Sequence, residues 1–569
     1  MFQIDWAVAE PAQAGVAPNN TTTSSKQRDI TKHSVPITSN ANQSPYAPAM
    51  ESGPAPFWLT NRGVLTAAYM ALMFSYIVTG AIGVPAHQYV RGYLDATPYQ
   101  GDWYMEAYLL TCALMLTLVG NLKQRFGNRT ISIAGPLLFS CGMFGASLAL
   151  NDGFFITMRI LQGVGAACCA AVGGGYLNGG IGKTNALYGK GLFVLTFAFG
   201  ATSGIAISAA ITWYISWRVL FAGIGLLLLV ALSLIVRYAP DDGSDPSVPI
   251  DWLTFALICG GFGLFAISLK VGNQNEWFQS HTYVVMLTIS LICMVCFFIR
   301  FASSPPLLNP KVFSDINFTI STINLTLILF AVFLVFAIVP SFMVLVTGNT
   351  IATYVLPFAG FSIASMISIG LFAPAVNPFY LARTLNIRKI ISSVGVFGFG
   401  ITALWMAHTS SLQNNANLTL QLICLGFFFG FILLELLMCF STVPKELATS
   451  ASAINFFGTA IAKVFAGGIS GAIHTVSTQG SWERFRGLVN PSNEVLTQFN
   501  APFRNQILGG IRAEDWSQAS LELINQEIAR QAEVVGYVNV ATLTGFLLIG
   551  FGILPFLHRE GKAKASSSP

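Results

Sequence analysis

Apolar residues run along this chain in fourteen long blocks, parted by short polar segments, between Val64 and Leu557. The blocks lie near 64–86, 103–120, 131–150, 154–177, 190–212, 217–236, 252–272, 282–301, 318–342, 354–376, 389–408, 419–441, 450–475 and 537–557. A hydrocarbon core of ~30 Å takes roughly 20 helical residues to cross, and each block is about that long. Lipid offers backbone amides no partner, so a spanning segment is a helix or part of a closed barrel. Blocks of this length without two-residue alternation are helices. The pattern predicts an all-α integral membrane protein with fourteen spans.

Two connections stand out from the short loops. Residues 237–251 carry Asp241, Asp242, Gly243, Asp245, Pro246 and Pro249, a turn-rich linker after the sixth span. Residues 476–536 separate the last two spans and contain an amphipathic run from Ala519 to Val535. In it Leu521, Ile524, Ile528, Ala532 and Val535 recur at helical spacing. The run is expected to form an outer-face helix, packed on the mouth of the bundle or on a partner. The organisation read from these breaks is a disordered cytoplasmic tail (1–62), a six-helix half (63–237), two extra helices (238–303), a second six-helix half (304–558, with the outer segment 476–536) and a C-terminal tail (559–569).

Composition sharpens the class. Only 9% of residues are charged against 54% hydrophobic, which rules out an ordinary soluble domain. The 53 glycines suit close helix approach in lipid, where small residues mediate packing. Nineteen of the 29 basic residues fall in the N-terminal tail, the even-to-odd loops and the C-terminal end. The positive-inside rule then places both termini in the cytoplasm, and the net charge of +5 reflects topology, not nucleic-acid binding. The first 56 residues, polar and without an apolar run, read as a tail and not as a signal peptide. All nine cysteines lie within apolar spans and read as small buried hydrophobes, and no Cys/His cluster has metal-ligand spacing.

The loop after span two holds Gly120, Gln124, Arg125, Gly127 and Arg129, a tight turn whose guanidinium groups can bridge helix ends. Span four carries Arg159, Gln162, Gly163 and Gly165, with Arg159, Gln162 and Gly163 on one helix face. An arginine in lipid is costly, so Arg159 must face the bundle interior or water and is a functional candidate. Glu106 in span two and Glu435 in span twelve are the membrane carboxylates, and burial would draw either toward the range of a proton relay. Their alternatives are an interfacial hydrogen bond for Glu106 and snorkelling toward the cytoplasm for Glu435. Lys463, near mid-depth of span thirteen, is read as part of a cavity, facing a carboxylate or an anionic substrate, and Lys270 lies near the outer end of span seven.

These stretches resemble the major facilitator superfamily. The loop is similar to its G-x-x-x-D-x-x-G-x-R signature and span four to its R-x-x-Q-G-x-G motif. Fourteen spans point to the drug:proton antiporter branch, the EmrB-type multidrug exporters. Pro85 closing span one, Trp103 to Leu110, Ser216-Trp217-Arg218, Asp251-Trp252-Leu253 and the outer segment from Trp482 to Tyr537 add to the likeness, which covers about residues 57–558. There are departures. The family's acid in span one falls on Tyr76, its loop Asp on Gln124, and the Gly-Pro pair of span five reads Gly204-Ile205. The second-half echo of the loop, from Leu381 to Arg388, also lacks its acid.

The resemblance implies two six-helix halves with two extra helices central in the sequence, and export of small amphiphilic molecules (drugs, a siderophore or another metabolite) by alternating access across the cell inner membrane. It implies the proton gradient as driving force with no cofactor, and a periplasmic membrane-fusion adaptor at segment 476–536. Tyr76, Gln162 and Asn178 are the polar groups expected to orient a ligand in a cavity otherwise aromatic and apolar. An importer or uncoupled facilitator on the same fold is the alternative, and a membrane sensor the more distant one. Nothing in the sequence suggests an enzyme: no nucleophile motif or phosphate loop appears, and Gly173-Gly174-Gly175 reads as helix packing.

Overall fold

The computed structural model describes residues 60–558, apart from 182–185, 242, 273, 304–306, 347, 349, 373–384, 411–412, 440–442, 444–446 and 490–515. Residues 1–59 of the N-terminal tail, 381–384 of the echo and the residues beyond His558 therefore lie outside the described residues, while Asn61 and Arg62, read as tail, open α1. Fourteen helices are long and apolar enough to span a membrane. They are α1 (Asn61–Tyr93), α2 (Pro98–Phe126), α3 (Asn128–Ser147), α4 (Asp152–Gly175), α5 (Ala186–Tyr214) and α6 (Trp217–Tyr238) in the first half. Next come α7 (Trp252–Val271) and α8 (His281–Ala302). The second half is α9 (Ile316–Leu345), α10 (Val355–Phe372), α11 (Leu385–Met406), α12 (Asn415–Leu436), α13 (Ala448–Gly487) and α14 (Trp516–Phe551).

Polar residues between the apolar blocks start the helices. Thr97 and Gln100 form a reciprocal capping box on α2, Asn151 accepts from the Phe154 amide at α4, and Asp315 accepts from the Asn317 and Phe318 amides at α9. Gly127 separates α2 from α3 at φ 84°, a conformation in which a side chain would be strained, and this is why the loop signature keeps a glycine there.

The two halves repeat one packing scheme. In the first, α1 packs on α5 and α6, α2 on α4, and α3 on α4 and α6. In the second, α9 packs on α13 and α14, α10 on α12, and α11 on α12 and α14. The halves meet crosswise, α2 against α13 and α5 against α10, as parallel repeats related by an axis along the membrane normal require. Glycines at matching places permit the tightest approaches. A Cβ on Gly163 of α4 would lie 2.8 Å from the Tyr108 carbonyl oxygen of α2, and one on Gly426 of α12 would lie 2.1 Å from that of Phe361 of α10.

The extra helices are central in the sequence but peripheral in the fold. α7 packs on α2 and α13, while α8 touches mainly α7 and is only 11% buried along its most apolar stretch, leaving most of it to lipid.

The outer segment departs from expectation. The run from Ala519 to Val535 is no separate helix: it is the first part of α14, continuous with the last span. Residues 476–487 likewise prolong α13 to 40 residues, about 60 Å at 1.5 Å per residue and twice the hydrocarbon thickness. The stripe packs on the bundle. Ile524 and Ala532 are buried, Glu533 faces His474 of α13, and Arg530 donates to the Val346 carbonyl beyond α9. Periodicity registered the apolar stripe but not that it continues the neighbouring span, because Gly536, the one residue between them, does not interrupt a helix whose backbone bonds are already made.

Candidate functional site: a cavity between the halves

We call the end of the bundle where α1 begins the proximal face and the end where α1 finishes the distal face. On the proximal side the halves touch. Gly120 of α2 comes so close to Thr449 of α13 that a Cβ would lie 3.0 Å from its methyl, and Phe193 of α5 meets Phe456 of α13 edge to face. Nearer the middle, Thr202 of α5 and Ser362 of α10 share a hydrogen bond of 3.1 Å. Beyond these contacts a cavity of about 400 Å³ opens between the halves and extends toward the distal face.

Its inner wall is apolar, formed by Ile77, Leu109, Phe333, Phe336, Phe361 and Phe429. Lys463 projects here from α13, with its ammonium 4.8 Å from the Phe333 ring centre and 5.5 Å from that of Phe197. Among the described residues no carboxylate lies within 4.0 Å of it, so its positive charge is met by ring faces and by the cavity. Towards the distal face the wall turns polar. Lys270 of α7 lies 3.4 Å from Asp102 and 4.0 Å from Glu106, both on α2. Glu106 stands beside Gly467 of α13, where a Cβ would come within 3.1 Å of its carboxylate oxygen. Across the cavity His474 of α13 pairs with Glu533 of α14 at 3.0 Å.

Of the residues chosen from sequence, Glu106 and Lys463 line this cavity, whereas Tyr76, Arg159, Gln162, Glu435 and Asn178 do not. Arg159 is buried inside the first half, 1% exposed. Its Nε donates to the Tyr104 carbonyl, its Nη1 to Gln162 at 2.7 Å, and its guanidinium lies 4.8 Å from the Tyr108 ring centre. Gln162 in turn donates to the Gly142 carbonyl of α3, and the Tyr108 hydroxyl donates to the Tyr76 carbonyl of α1. This network joins α1 to α4 behind the cavity wall. Met105, Glu106 and Leu109 form one face of α2 toward the cavity, while Tyr104 and Tyr108 form the other toward Arg159. Asn178 bonds back to the Gly174 carbonyl within its own helix.

The loop signature is engaged by the linker after α6. Arg125 donates to the Val248 carbonyl, the Asp245 amide to the Gln124 carbonyl, and Asn121 to the Pro249 carbonyl. Arg129 pairs with Asp241 and donates to the Val236 carbonyl. The linker after α6 thus lies along the loop, and Gln124 takes part through its backbone. At the same face Asp251 caps α7 and receives bonds from Thr254 Oγ1 at 2.6 Å and from Arg300 of α8 at 3.0 Å.

Sequence reading missed Asp102, His87 and His474, which line the cavity. His87 and Asp102 lie near the distal ends of α1 and α2, and His474 lies within the long α13. Only the crosswise contact of the halves brings them together, so no spacing rule could have found them.

Known proteins are consistent with this architecture. Residues 68–467 match the sequence model of the Major Facilitator Superfamily. Over 521 residues the chain is 22% identical to the probable multidrug resistance protein EmrY of Escherichia coli, spanning 87% of this chain and 97% of that protein. It is 20% identical to the multidrug export protein EmrB of the same organism, and 22% identical to the fatty acid resistance protein FarB of Neisseria gonorrhoeae. Each of these alignments covers 87% of this chain and 94% of the relative. Two six-helix repeats meeting crosswise around one cavity, and a family match over most of their length, make this chain a member of the major facilitator superfamily.

Proposed function

We propose that this protein is a secondary exporter of the cell inner membrane, with both termini in the cytoplasm, that moves small amphiphilic organic molecules outward by alternating access. The observation that carries the reading is the cavity between the halves. It combines an aromatic inner wall, a lysine that no carboxylate among the described residues meets, and a carboxylate–lysine cluster nearer its opening. An apolar body fits against Phe333, Phe336, Phe361 and Phe429, and an anionic group fits Lys463. The names of the relatives, multidrug export and fatty acid resistance, agree with an amphiphile that can carry a carboxylate.

In this reading the proton gradient drives transport without a bound cofactor, and Glu106 is the coupling group. Open to the distal, outer face, the cavity releases its substrate and admits a proton. Protonated Glu106 no longer attracts Lys270, which loosens the tie between α2 and α7. The contacts of α2 with α13 then rearrange as the halves rock. A membrane-fusion adaptor at the distal connection between α13 and α14 completes the proposal.

The test is efflux by the purified protein in liposomes, with a fluorescent amphiphilic carboxylate as substrate and an imposed pH gradient. Gradient-driven movement by the wild type and its loss in Glu106→Gln, with substrate binding retained, is the expected result. Equilibration of substrate without response to the gradient in the wild type would instead support an uncoupled facilitator.

A further inference from the structure

Away from the cavity, the second half buries a carboxylate and an imidazole side by side. α12 is interrupted at Leu433, and Glu435 stands in the first turn of the short segment that follows, 0% exposed. Asn324 of α9 donates to its Oε1 and Ser392 of α11 to its Oε2, both at 3.2 Å. The side left open is faced by His558, itself 3% exposed, with Nε2 at 3.7 Å from Oε1.

His558 follows the helical turn Leu554–Leu557 that ends the described chain, and it is held on three sides. Nδ1 lies 2.9 Å from the Pro555 carbonyl, an acceptor only, so Nδ1 carries a hydrogen. Nε2 lies 2.6 Å from the Ser321 hydroxyl of α9, and the His558 carbonyl accepts from Lys389 of α11. With Nδ1 committed as donor, a neutral ring turns a lone pair toward a carboxylate oxygen, and the two repel. One added proton, on Nε2 or on the carboxyl, turns the contact attractive. Ser321 serves either arrangement, because a hydroxyl can donate to Nε2 or accept from it.

We propose that Glu435 and His558 form a proton-binding site, separate from the transport cavity, in which one exchangeable proton holds the turn Leu554–Leu557 against α9, α11 and α12. The bound proton joins the end of α14 to α9, α11 and α12. Its loss releases that turn. Among the described residues, the titratable groups facing the pair are Lys389 of α11 and Cys439 of the segment that carries Glu435. Cys439 accepts from Asn455 of α13, and Arg388, next to Lys389 in sequence, interacts with Lys190 of α5. None of the pair's partners lines the cavity, so this site stands whether or not Glu106 couples transport.

Infrared difference spectroscopy between acid and alkaline pH, on the full-length protein in lipid nanodiscs, tests the site directly. A protonated-carboxyl C=O band that disappears in Glu435→Gln and persists in Glu106→Gln is expected. In His558→Gln the pH midpoint of that band should move by about tenfold or more in proton concentration, as coupled titrating sites require. Amide hydrogen exchange in residues 552–558, corrected for intrinsic rates, should rise with pH in the wild type and lose that dependence in both variants. A band indifferent to Glu435→Gln, or a midpoint unmoved by His558→Gln, overturns the shared proton. Exchange in 552–558 that is independent of pH in the wild type overturns its hold on the turn. His558→Gln preserves a neutral hydrogen-bonding side chain and carries the test alone if Glu435→Gln does not fold.

Discussion

Lys270 of α7 stands 4.0 Å from Glu106 of α2, so a helix outside both six-helix repeats supplies a cation to the cavity they enclose. The pair is partly shielded, the Glu106 side chain being 13% and that of Lys270 21% exposed, which makes their interaction stronger than that of a surface ion pair. In this chain the extra helices thereby contribute chemistry to the cavity, and not only length.

If Lys270 acts through Glu106, the two substitutions should not add. Lys270→Met and Glu106→Gln are each expected to reduce gradient-driven efflux by about tenfold, and the double variant to be no worse than either, the signature of groups that work together. Initial efflux rates from liposomes for the four proteins close the cycle. Additive losses would separate the two residues.

Lys463 should select for anions. Lys463→Met is expected to weaken binding of an amphiphilic carboxylate by about 2 kcal/mol, the worth of a hydrogen bond to a charged group, or about 30-fold in Kd. Binding of the matching neutral ester should change little. Titration calorimetry on both ligands checks this, and equal losses for the two would place Lys463 outside ligand recognition.

Arg159 lies behind the wall, so its removal should cost stability as well as transport. Arg159→Ala leaves the Tyr104 carbonyl and Gln162 without their donor and is expected to destabilise by about 3 kcal/mol, with transport lost because α2 no longer holds Glu106 in register. Arg159→Lys cannot bond two partners in the plane of a guanidinium and should restore little. Thermal unfolding in detergent, read beside efflux, would show an intact melting temperature if the residue served only the cavity.

Asp251 predicts a pH dependence at the proximal face. Burial pushes its carboxyl up, but bonds from the Thr254 hydroxyl and amide and from Arg300 outweigh this and hold it below its ordinary range. A carboxyl held low in the folded state stabilises above its unfolded value of about 3.9, and that contribution is lost as pH falls through the folded value. Asp251→Asn should therefore lower the apparent Tm at neutral pH, and the gap from the wild type should close below about pH 4. A gap that stays constant into acid would assign the loss to helix capping alone.

If an adaptor docks at the distal connection, transport and delivery should be separable. Replacing residues 490–515 by a Gly/Ser linker leaves the extensions of α13 and α14, and with them His474–Glu533, in place. Transport in membrane vesicles should be unchanged while export from whole cells falls. Loss in vesicles as well would make the connection part of the transporter, and unchanged export from cells would remove the adaptor from the proposal.

Fourteen spans, their helical character and the family resemblance were legible in the residues alone. Hydrophobic length and local motif are properties of a continuous stretch, and lipid leaves such a stretch one way to satisfy its backbone. Glu106 and Lys463 stood out for the related reason that a charge inside an apolar block is costly wherever the helix sits. What each charge faces was settled by packing. Rotation of α2 turns Glu106 to the cavity and Tyr104 to Arg159, and the crosswise contact of α2 with α13 sets Glu106 beside Gly467. Glu435 meets His558 across 123 positions of sequence, and Lys270 meets Asp102 across 168. Such partners depend on helix azimuth and on contact between distant segments. No periodicity within one segment encodes them, so they belong to the tertiary structure.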